Sequence, residues 1–215
     1  MSQPRWTVVL PVKRLAAAKS RLRGALPGVP HEDLALALAA DTLRALLACP
    51  AVAGVLVVTD DARVAATARD AGARVLPDEP DAGLNAAFRH GAAAAGAGWV
   101  AGITADLPAL RPADLAAALH AARSNPARVR RFVPDAPGDG TVLLAAPPGV
   151  PLDPRFGHGS AAAHAASGAL PLVGRWPTLR RDVDTATDLA AATRLGLGPR
   201  TAALVGAGCA AGTAG

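Results

Sequence analysis

The chain has 215 residues, of which 51% are hydrophobic and 18% are charged. It therefore has enough apolar material for a folded core and cannot be largely disordered. Only 3% of the residues are aromatic and none is tyrosine, which argues against a nucleic-acid-binding module that stacks bases on aromatic side chains. The formal net charge of +5 favours an anionic partner without identifying it.

The cysteine content and the hydropathy of the chain indicate the cellular compartment in which we expect to find the protein. Cys49 and Cys209 are too few for a disulfide framework, and we expect both to be unpaired in a reducing compartment. The apolar run near the first residue is too short for a signal peptide, and no uninterrupted stretch is long enough to span a bilayer. We therefore expect a soluble, cytoplasmic protein that binds neither membranes nor nucleic acids.

Apolar runs alternate with helical patterns along most of the chain. In chain order they predict a strand over residues 7–10, a helix over 31–49, a strand over 52–59, a helix over 62–71, a strand over 74–76, a helix over 84–97, a strand over 99–104, a helix over 112–122, two strands within 129–146, a helix over 160–167, a strand over 170–173 and a helix over 185–195. Continuous apolar strands between helices indicate an α/β fold, with a mostly parallel sheet covered by helices. We predict one domain over residues 1–200 and a flexible Gly/Ala tail over residues 201–215.

The first polar cluster follows the first predicted strand. Residues 11–22 contain the only two lysines of the chain, Lys13 and Lys19, whereas the chain as a whole has 20 arginines. The segment lacks both the G-x-G-x-x-G and the G-x-x-x-x-G-K-[ST] patterns, so neither a Rossmann dinucleotide site nor a P-loop is supported. The lysines could bind phosphates, or the segment could be a solvated basic surface.

Three aspartates stand at predicted strand ends or in an extended segment. Asp106 follows the strand over 99–104, and Asp182 and Asp184 form a D-x-D pattern that places both carboxylates on one side of an extended chain. Like charges held close together favour a bound cation. As alternatives, Asp106 could be a capping turn residue, and Asp184 with Thr185 could cap the last predicted helix.

Two glycine-rich segments carry hydroxyl side chains. Thr141 follows Gly138-Asp139-Gly140, and Ser160 follows Gly157-His158-Gly159 at the start of a predicted helix. Free backbone N–H groups at such a start can bind an anion, although both segments could also be ordinary turns. His158 and His164 lack zinc-site spacing with a cysteine, so we interpret them as structural or supporting residues. Phosphate-binding lysines, three carboxylates for divalent metal and an anion site together indicate nucleotidyl transfer.

An ordered set of motifs adds a resemblance to this interpretation. PVKRLAAAKSRL, VVTDD, GLNAA, ADLPAL, GDGT, FGHGS with a following His, and RDVDTATDL occur in this order. The chain thereby resembles the guanylyltransferases of coenzyme F420 biosynthesis that act on phosphoenolpyruvate or 2-phospho-L-lactate. The resemblance covers Val8 to about Gly198.

The resemblance implies a GT-A-like (nucleotide-diphospho-sugar transferase-like) sandwich and a Mg²⁺-dependent reaction of GTP with a three-carbon phosphoester, in which pyrophosphate leaves. The implied site residues fall into three sets. The equivalents of Asp106, Asp182 and Asp184 hold the metal. Those of Thr141, Gly157 and Ser160 hold the acceptor, with the catalytic Lys13 alongside. Those of Lys13, Lys19, Gly83 and Asn85 face the nucleotide.

One residue departs from the family pattern. Asp139 stands where the family commonly has a small hydroxyl residue, and its negative charge would oppose phosphate binding unless the side chain points away from the acceptor. We favour phosphoenolpyruvate as the acceptor because the segments around Lys13 and Asp182 resemble the bacterial members. The alternatives are transfer onto 2-phospho-L-lactate, another nucleotidyltransferase such as a molybdenum-cofactor enzyme, or a non-catalytic anion-binding domain. The sequence does not indicate an oligomeric state.

Overall fold

The apolar runs form the middle of one seven-stranded sheet in the computed structural model, which describes residues 5–18, 20–79, 81–124 and 128–212. The strands are β1 (Trp6–Pro11), β2 (Val52–Val58), β3 (Arg74–Leu76), β4 (Trp99–Ile103), β5 (Arg131–Pro134), β6 (Thr141–Ala146) and β7 (Leu170–Pro171). Their order across the sheet is β3-β2-β1-β4-β6-β5-β7. Strand β6 is antiparallel to both of its neighbours, and the other pairs are parallel.

Helices cover both faces of the sheet. They are α1 (His31–Leu47), α2 (Ala62–Asp70), α3 (Leu84–Ala95), α4 (Pro112–Arg123), α5 (Ser160–Ala166), α6 (Pro177–Arg180), α7 (Ala186–Leu195) and α8 (Pro199–Gly212). Because side chains alternate along a strand, Val8 and Leu10 of β1 join the core that α1 and α4 cover. Val9 joins the core beneath α3. The predicted α/β fold with a mostly parallel sheet is confirmed.

Local interactions explain where two of the predicted helices begin. The carboxylate of Asp61 accepts hydrogen bonds from the backbone N–H groups of Arg63 and Val64 and so caps α2. Pro112 occupies the first turn of α4, where its missing N–H costs nothing. On α3, Gly91 allows close packing, because a Cβ there would collide with the side chain of Val9.

Helix α8 continues to Gly212, within the segment 201–215 for which the sequence predicts a flexible tail. The buried carboxylate of Asp41 on α1 accepts hydrogen bonds from the N–H groups of Arg200 (3.2 Å) and Thr201 (2.7 Å). These bonds satisfy amides at the start of α8 that have no partner within the helix. The cap lies 160 positions away in sequence, so a local pattern could not indicate it.

Short elements also escaped the sequence analysis. Helix α6 and two 3-10 turns, at Leu15–Ala17 and Ser20–Leu22, were not predicted. Strand β7 has only two residues, fewer than predicted. In the part of the chain that the structure describes, no helix has both the length and the apolar character needed to cross a membrane.

Candidate active site

A cavity of about 390 Å³ lies beyond the carboxyl ends of β1 and β4. These strands are neighbours at the centre of the sheet, and the strand order reverses between them. Such a reversal leaves a crevice at the strand ends, which is where open α/β sheets bind ligands. Lys13 and Asp106, each two or three residues beyond a strand, line the cavity together with Asp184. Three of the predicted site residues therefore meet at one place.

A backbone hydrogen bond joins the two aspartate segments. The N–H of Val183 donates to the carbonyl oxygen of Asp106 at 3.0 Å. Val183 is fully buried and fixes the extended segment that carries Asp182 and Asp184 beside the end of β4. Asp184 is exposed, whereas Asp182 and Asp106 are half-buried.

The electrostatics of Asp182 reflect this crowding. Burial raises its pKa from 3.8 to about 7, and the negative charges of Asp106, Asp184 and Asp135 add to the effect. Like charges disfavour the ionised form of a neighbouring carboxyl group. The raised pKa of Asp182 therefore reflects the predicted proximity of Asp106 and Asp184.

The three carboxylates do not by themselves form a complete metal-coordination site. Within residues 5–18, 20–79, 81–124 and 128–212, no group of three or more His, Cys, Asp or Glu side chains is arranged to hold a metal ion. The capping alternative for the last predicted helix is confirmed for Thr185. Thr185, paired with Asp188 in a capping box, begins α7, and Arg111 is the residue that precedes α4.

The loop after β1 is held in place by an acidic side chain of the next strand–helix unit. Asp61 accepts a hydrogen bond from the N–H of Leu15 at 2.9 Å, and Asp60 pairs with Arg14 at 3.4 Å. Lys13, the exposed residue just before these two contacts, lines the cavity. Lys19 lies outside the described residues.

The predicted acceptor residues come together on the far side of β4. Thr104, which follows β4 and lines the cavity, donates its N–H to the carbonyl of Val142 at 3.1 Å, so the start of β6 lies beside the cavity. Thr141 is buried there, and its hydroxyl lies 2.9 Å from Nδ1 of His164. Ser160 is also buried, and its hydroxyl has no hydrogen-bond partner among the described residues. Gly157 has a φ of 134°, a conformation that side chains disfavour.

Asp139 connects the two glycine-rich segments. Its carboxylate accepts the N–H of Gly159 at 3.0 Å and lies 3.2 Å from Nδ1 of His158. Its carbonyl accepts the N–H of Ala161 at 2.9 Å. The side chain thus points to the start of α5. It accepts the hydrogen bond of the Gly159 N–H, one of the backbone groups that were predicted to bind an anion.

Asn85 does not line the cavity but contacts residues 155–160, which carry Gly157 and Ser160 and are called the acceptor segment after their predicted role. Its side-chain amide donates to the carbonyl of Phe156 at 3.0 Å and accepts the N–H of the same residue at 2.8 Å. Gly83 precedes α3 with a φ of 88°, which favours glycine, and Leu84 lines the cavity. The turn that was predicted to face the nucleotide therefore contributes Leu84 to the cavity and fastens the acceptor segment through Asn85.

Asp135 lies near the candidate site, because its charge acts on Asp182, and the sequence pattern did not single it out. Its carboxylate accepts the N–H groups of Gly138 (2.7 Å) and Gly140 (2.9 Å), and Arg180 donates to its carbonyl at 2.9 Å. An aspartate just before a glycine-rich turn is a typical turn former, and this signal could have identified it. Asp135 shapes the segment before Thr141 and adds a third negative charge near Asp182, beside those of Asp106 and Asp184.

Comparisons with known proteins agree with this architecture. The family described as "MobA-like NTP transferase domain" matches residues 20–177, more than half of the chain. The solved structure of a nucleotidyl transferase from Methanothermobacter thermautotroptrophicus superimposes with a TM-score of 0.64 and 18% sequence identity, covering 90% of this chain and 98% of that one. At this identity the likeness concerns the fold alone, which is that of a nucleotidyltransferase.

Curated relatives of higher sequence identity show to which family of nucleotidyltransferases the chain belongs. A phosphoenolpyruvate guanylyltransferase of Salinispora arenicola is 76% identical over 201 residues, which are 94% of each chain. One of Geodermatophilus obscurus is 57% identical over 206 residues, again 94% of each chain. The chain belongs to the phosphoenolpyruvate guanylyltransferase family of nucleotidyltransferases.

Proposed function

We propose that the protein transfers GMP from GTP to phosphoenolpyruvate, forming enolpyruvoyl-diphospho-guanosine and pyrophosphate, as a cytoplasmic enzyme of coenzyme F420 biosynthesis. The main support is the cavity at the strand-order reversal, where Lys13 meets Asp106 and Asp184. The names of the close relatives supply the substrates. Transfer onto 2-phospho-L-lactate is the second candidate, because both acceptors are three-carbon phosphoesters.

The proposed reaction is an in-line displacement at phosphorus. A phosphate oxygen of the acceptor bonds to the α-phosphorus of GTP, the bond from that phosphorus to the bridging oxygen breaks, and the electron pair leaves with pyrophosphate. A phosphate monoester is already anionic near neutral pH, so no general base is needed. Catalysis then depends on positioning and on neutralisation of negative charge. Lys13 supplies a compact positive charge at the cavity wall for the transferred phosphate.

The carboxylates that line the cavity fit Mg²⁺. This ion is commonly held by one or two carboxylates together with substrate phosphates and water, rather than by an all-protein cage. Asp106 and Asp184 are two such carboxylates, and Asp182 is the third proposed ligand. When bound, Mg²⁺ would stabilise negative charge on the phosphates.

The acceptor and nucleotide assignments complete the proposal. The hydroxyls of Thr141 and Ser160, with the backbone at Gly157, would hold the acceptor. Lys19 and Gly83 stay assigned to the nucleotide. Asn85 also keeps that assignment, although its contacts with Phe156 favour a supporting role.

Pyrophosphate release, measured for several nucleotides against both three-carbon phosphoesters, tests the reaction. We expect release with GTP, Mg²⁺ and phosphoenolpyruvate. Release with 2-phospho-L-lactate alone would refute the acceptor, and no release with any pair would favour a non-catalytic anion-binding domain.

Substitutions test the metal and acceptor residues. Asp106→Asn and Asp184→Asn should each lower kcat by at least about a hundredfold, because charge stabilisation of this kind contributes that much. Asp70→Asn, at the exposed end of α2, is the matched control. Retained activity in both site variants would refute the metal assignment. Ser160→Ala should mainly raise the KM for the acceptor, and an unchanged value would remove Ser160 from the site.

A further inference from the structure

His164 is a fully buried histidine that the proposed reaction does not use directly. We propose that His164 is a positioning residue. Its ring donates a hydrogen bond to the hydroxyl oxygen of Thr141, so that the hydrogen of this hydroxyl is directed away from the ring and towards the phosphoester. The proposal rests on the proposed function, since it concerns how the same site holds its acceptor.

The hydrogen-bond partners of the ring determine its tautomer. The backbone N–H of Arg155 points at Nε2 of His164 at 2.9 Å, so Nε2 must be the acceptor. A neutral imidazole carries one N–H, which is therefore at Nδ1. Nδ1 lies 2.9 Å from Oγ1 of Thr141, and the ring donates to that oxygen.

The ring stays neutral at the pH at which a cytoplasmic enzyme works. Burial and the positive charges of Arg130 and Arg155 together lower the pKa of His164 to about 4, although the charge of Asp153 and a hydrogen bond with the backbone of Ser160 oppose the shift. The ring cannot easily turn over, because it packs edge-on against Phe156, with centroids 5.2 Å apart, and lies 5.8 Å from Phe132.

The consequence falls on Thr141. Its oxygen accepts from His164, so its own hydrogen cannot point at the ring and is left for another acceptor. Among the described residues, His164 is the only hydrogen-bond partner of this hydroxyl. Phosphate and carboxylate oxygens of a phosphoester are acceptors only, so a hydroxyl fixed as a donor suits them.

Helix α5 brings a second hydroxyl to the same place. Ser160 precedes His164 by four positions, so both lie on one face of the helix. The Ser160 hydroxyl is buried without a hydrogen-bond partner in the described part of the chain. One helical face thus carries the Ser160 hydroxyl and contacts the Thr141 hydroxyl through His164.

Two substitutions of His164 separate the roles of its nitrogens. His164→Asn keeps a donor near the position of Nδ1, and His164→Gln keeps a polar group near Nε2 but removes the donor to Thr141. We expect His164→Gln to raise the KM for phosphoenolpyruvate about fivefold to tenfold, the value of one hydrogen bond, with kcat and the KM for GTP within about twofold. His164→Asn should stay within about threefold of the wild type. His120→Gln, exposed on α4, is the control.

A double-mutant cycle with Thr141→Val tests whether His164 acts through Thr141. In the Thr141→Val background, His164→Gln should raise the acceptor KM no further. Additive effects, or equal effects of Asn and Gln at position 164, would overturn the proposal.

The tautomer gives a readout that does not depend on turnover or on folding of the His164 variants. Nitrogen chemical shifts of His164 in the wild-type protein should report a neutral ring protonated at Nδ1, and a proton at Nε2 would overturn the proposal. If the wild type releases pyrophosphate but the cycle is additive, the positioning role alone fails. If the wild type releases none with any phosphoester, the proposed function fails and the inference fails with it.

Discussion

Replacing Asp182 by Asn is expected to stabilise the protein above neutral pH when divalent cations are absent. The raised pKa of Asp182 means that the folded chain holds a proton that the unfolded chain has already released. Between the ordinary value of 3.8 and about 7, the folded state binds more protons than the unfolded state, so stability falls as pH rises. Above about 7 the carboxyl group is ionised in both states, and the loss is complete.

The magnitude follows from the two pKa values. Each pKa unit corresponds to about 1.4 kcal/mol, so the difference between 3.8 and about 7 sets an upper limit of about 4 kcal/mol. Asp182 keeps part of its surface in solvent, which screens its charge, so we expect about 2 kcal/mol. For a chain of this length that is about 4–8 °C in Tm.

Thermal unfolding between pH 4 and pH 8 with a chelator present measures the effect. The Tm of the wild type should fall relative to Asp182→Asn as pH rises to about 7, and Mg²⁺ with GTP should narrow the gap. Asp70→Asn is the control for removing an exposed carboxylate. A constant difference between wild type and Asp182→Asn across this range would refute the reasoning.

Three further substitutions address packing, capping and the acceptor segment. Asp41→Ala removes the acceptor at the start of α8 and should lower the free energy of unfolding in urea by about 2 kcal/mol; an unchanged value would show that α8 docks without it. Gly91→Ala, where the new methyl group has no space, should cost about 1–3 kcal/mol, whereas Gly54→Ala, which meets nothing within 4 Å, should cost less in the same titration. Asn85→Ala loses both hydrogen bonds to Phe156 and should raise the KM for the acceptor several-fold, with a smaller increase in the KM for GTP. A larger increase in the KM for GTP would favour a nucleotide-binding role for Asn85.

The central sheet could be predicted because its strands are buried on both faces. Such strands are continuous apolar runs, as at Val55–Val58 of β2, and each run ends where polar residues begin. Asp106 and Lys13 were identifiable for the same reason, since the carboxyl ends of parallel strands share one edge of a sheet. Their roles in binding or catalysis remain predictions.

The residues that escaped prediction depend on partners far away in sequence. Asn85 lies in a turn of the kind that often faces a ligand. Its side-chain amide instead forms hydrogen bonds with the backbone of Phe156, 71 positions later. The start of α8 depends on Asp41, and only the folded chain brings the two together. Asp135 carried a local signal, yet it comes near Asp182 only because β5 runs in the same direction as β4 and ends at the same edge of the sheet.

The placement of the aromatic rings determines what spectroscopy can detect. All three phenylalanines lie in the core on the acceptor side of the sheet, whereas Trp6 and Trp99 pack edge to face, with centroids 4.8 Å apart, at the amino ends of β1 and β4. With no tyrosine in the chain, this pair and Trp176 emit all of the intrinsic fluorescence. The pair lies at the edge of the sheet opposite the cavity, so its emission reports global unfolding rather than ligand binding. A tryptophan introduced in place of Phe156 would give the acceptor segment its own fluorescence signal.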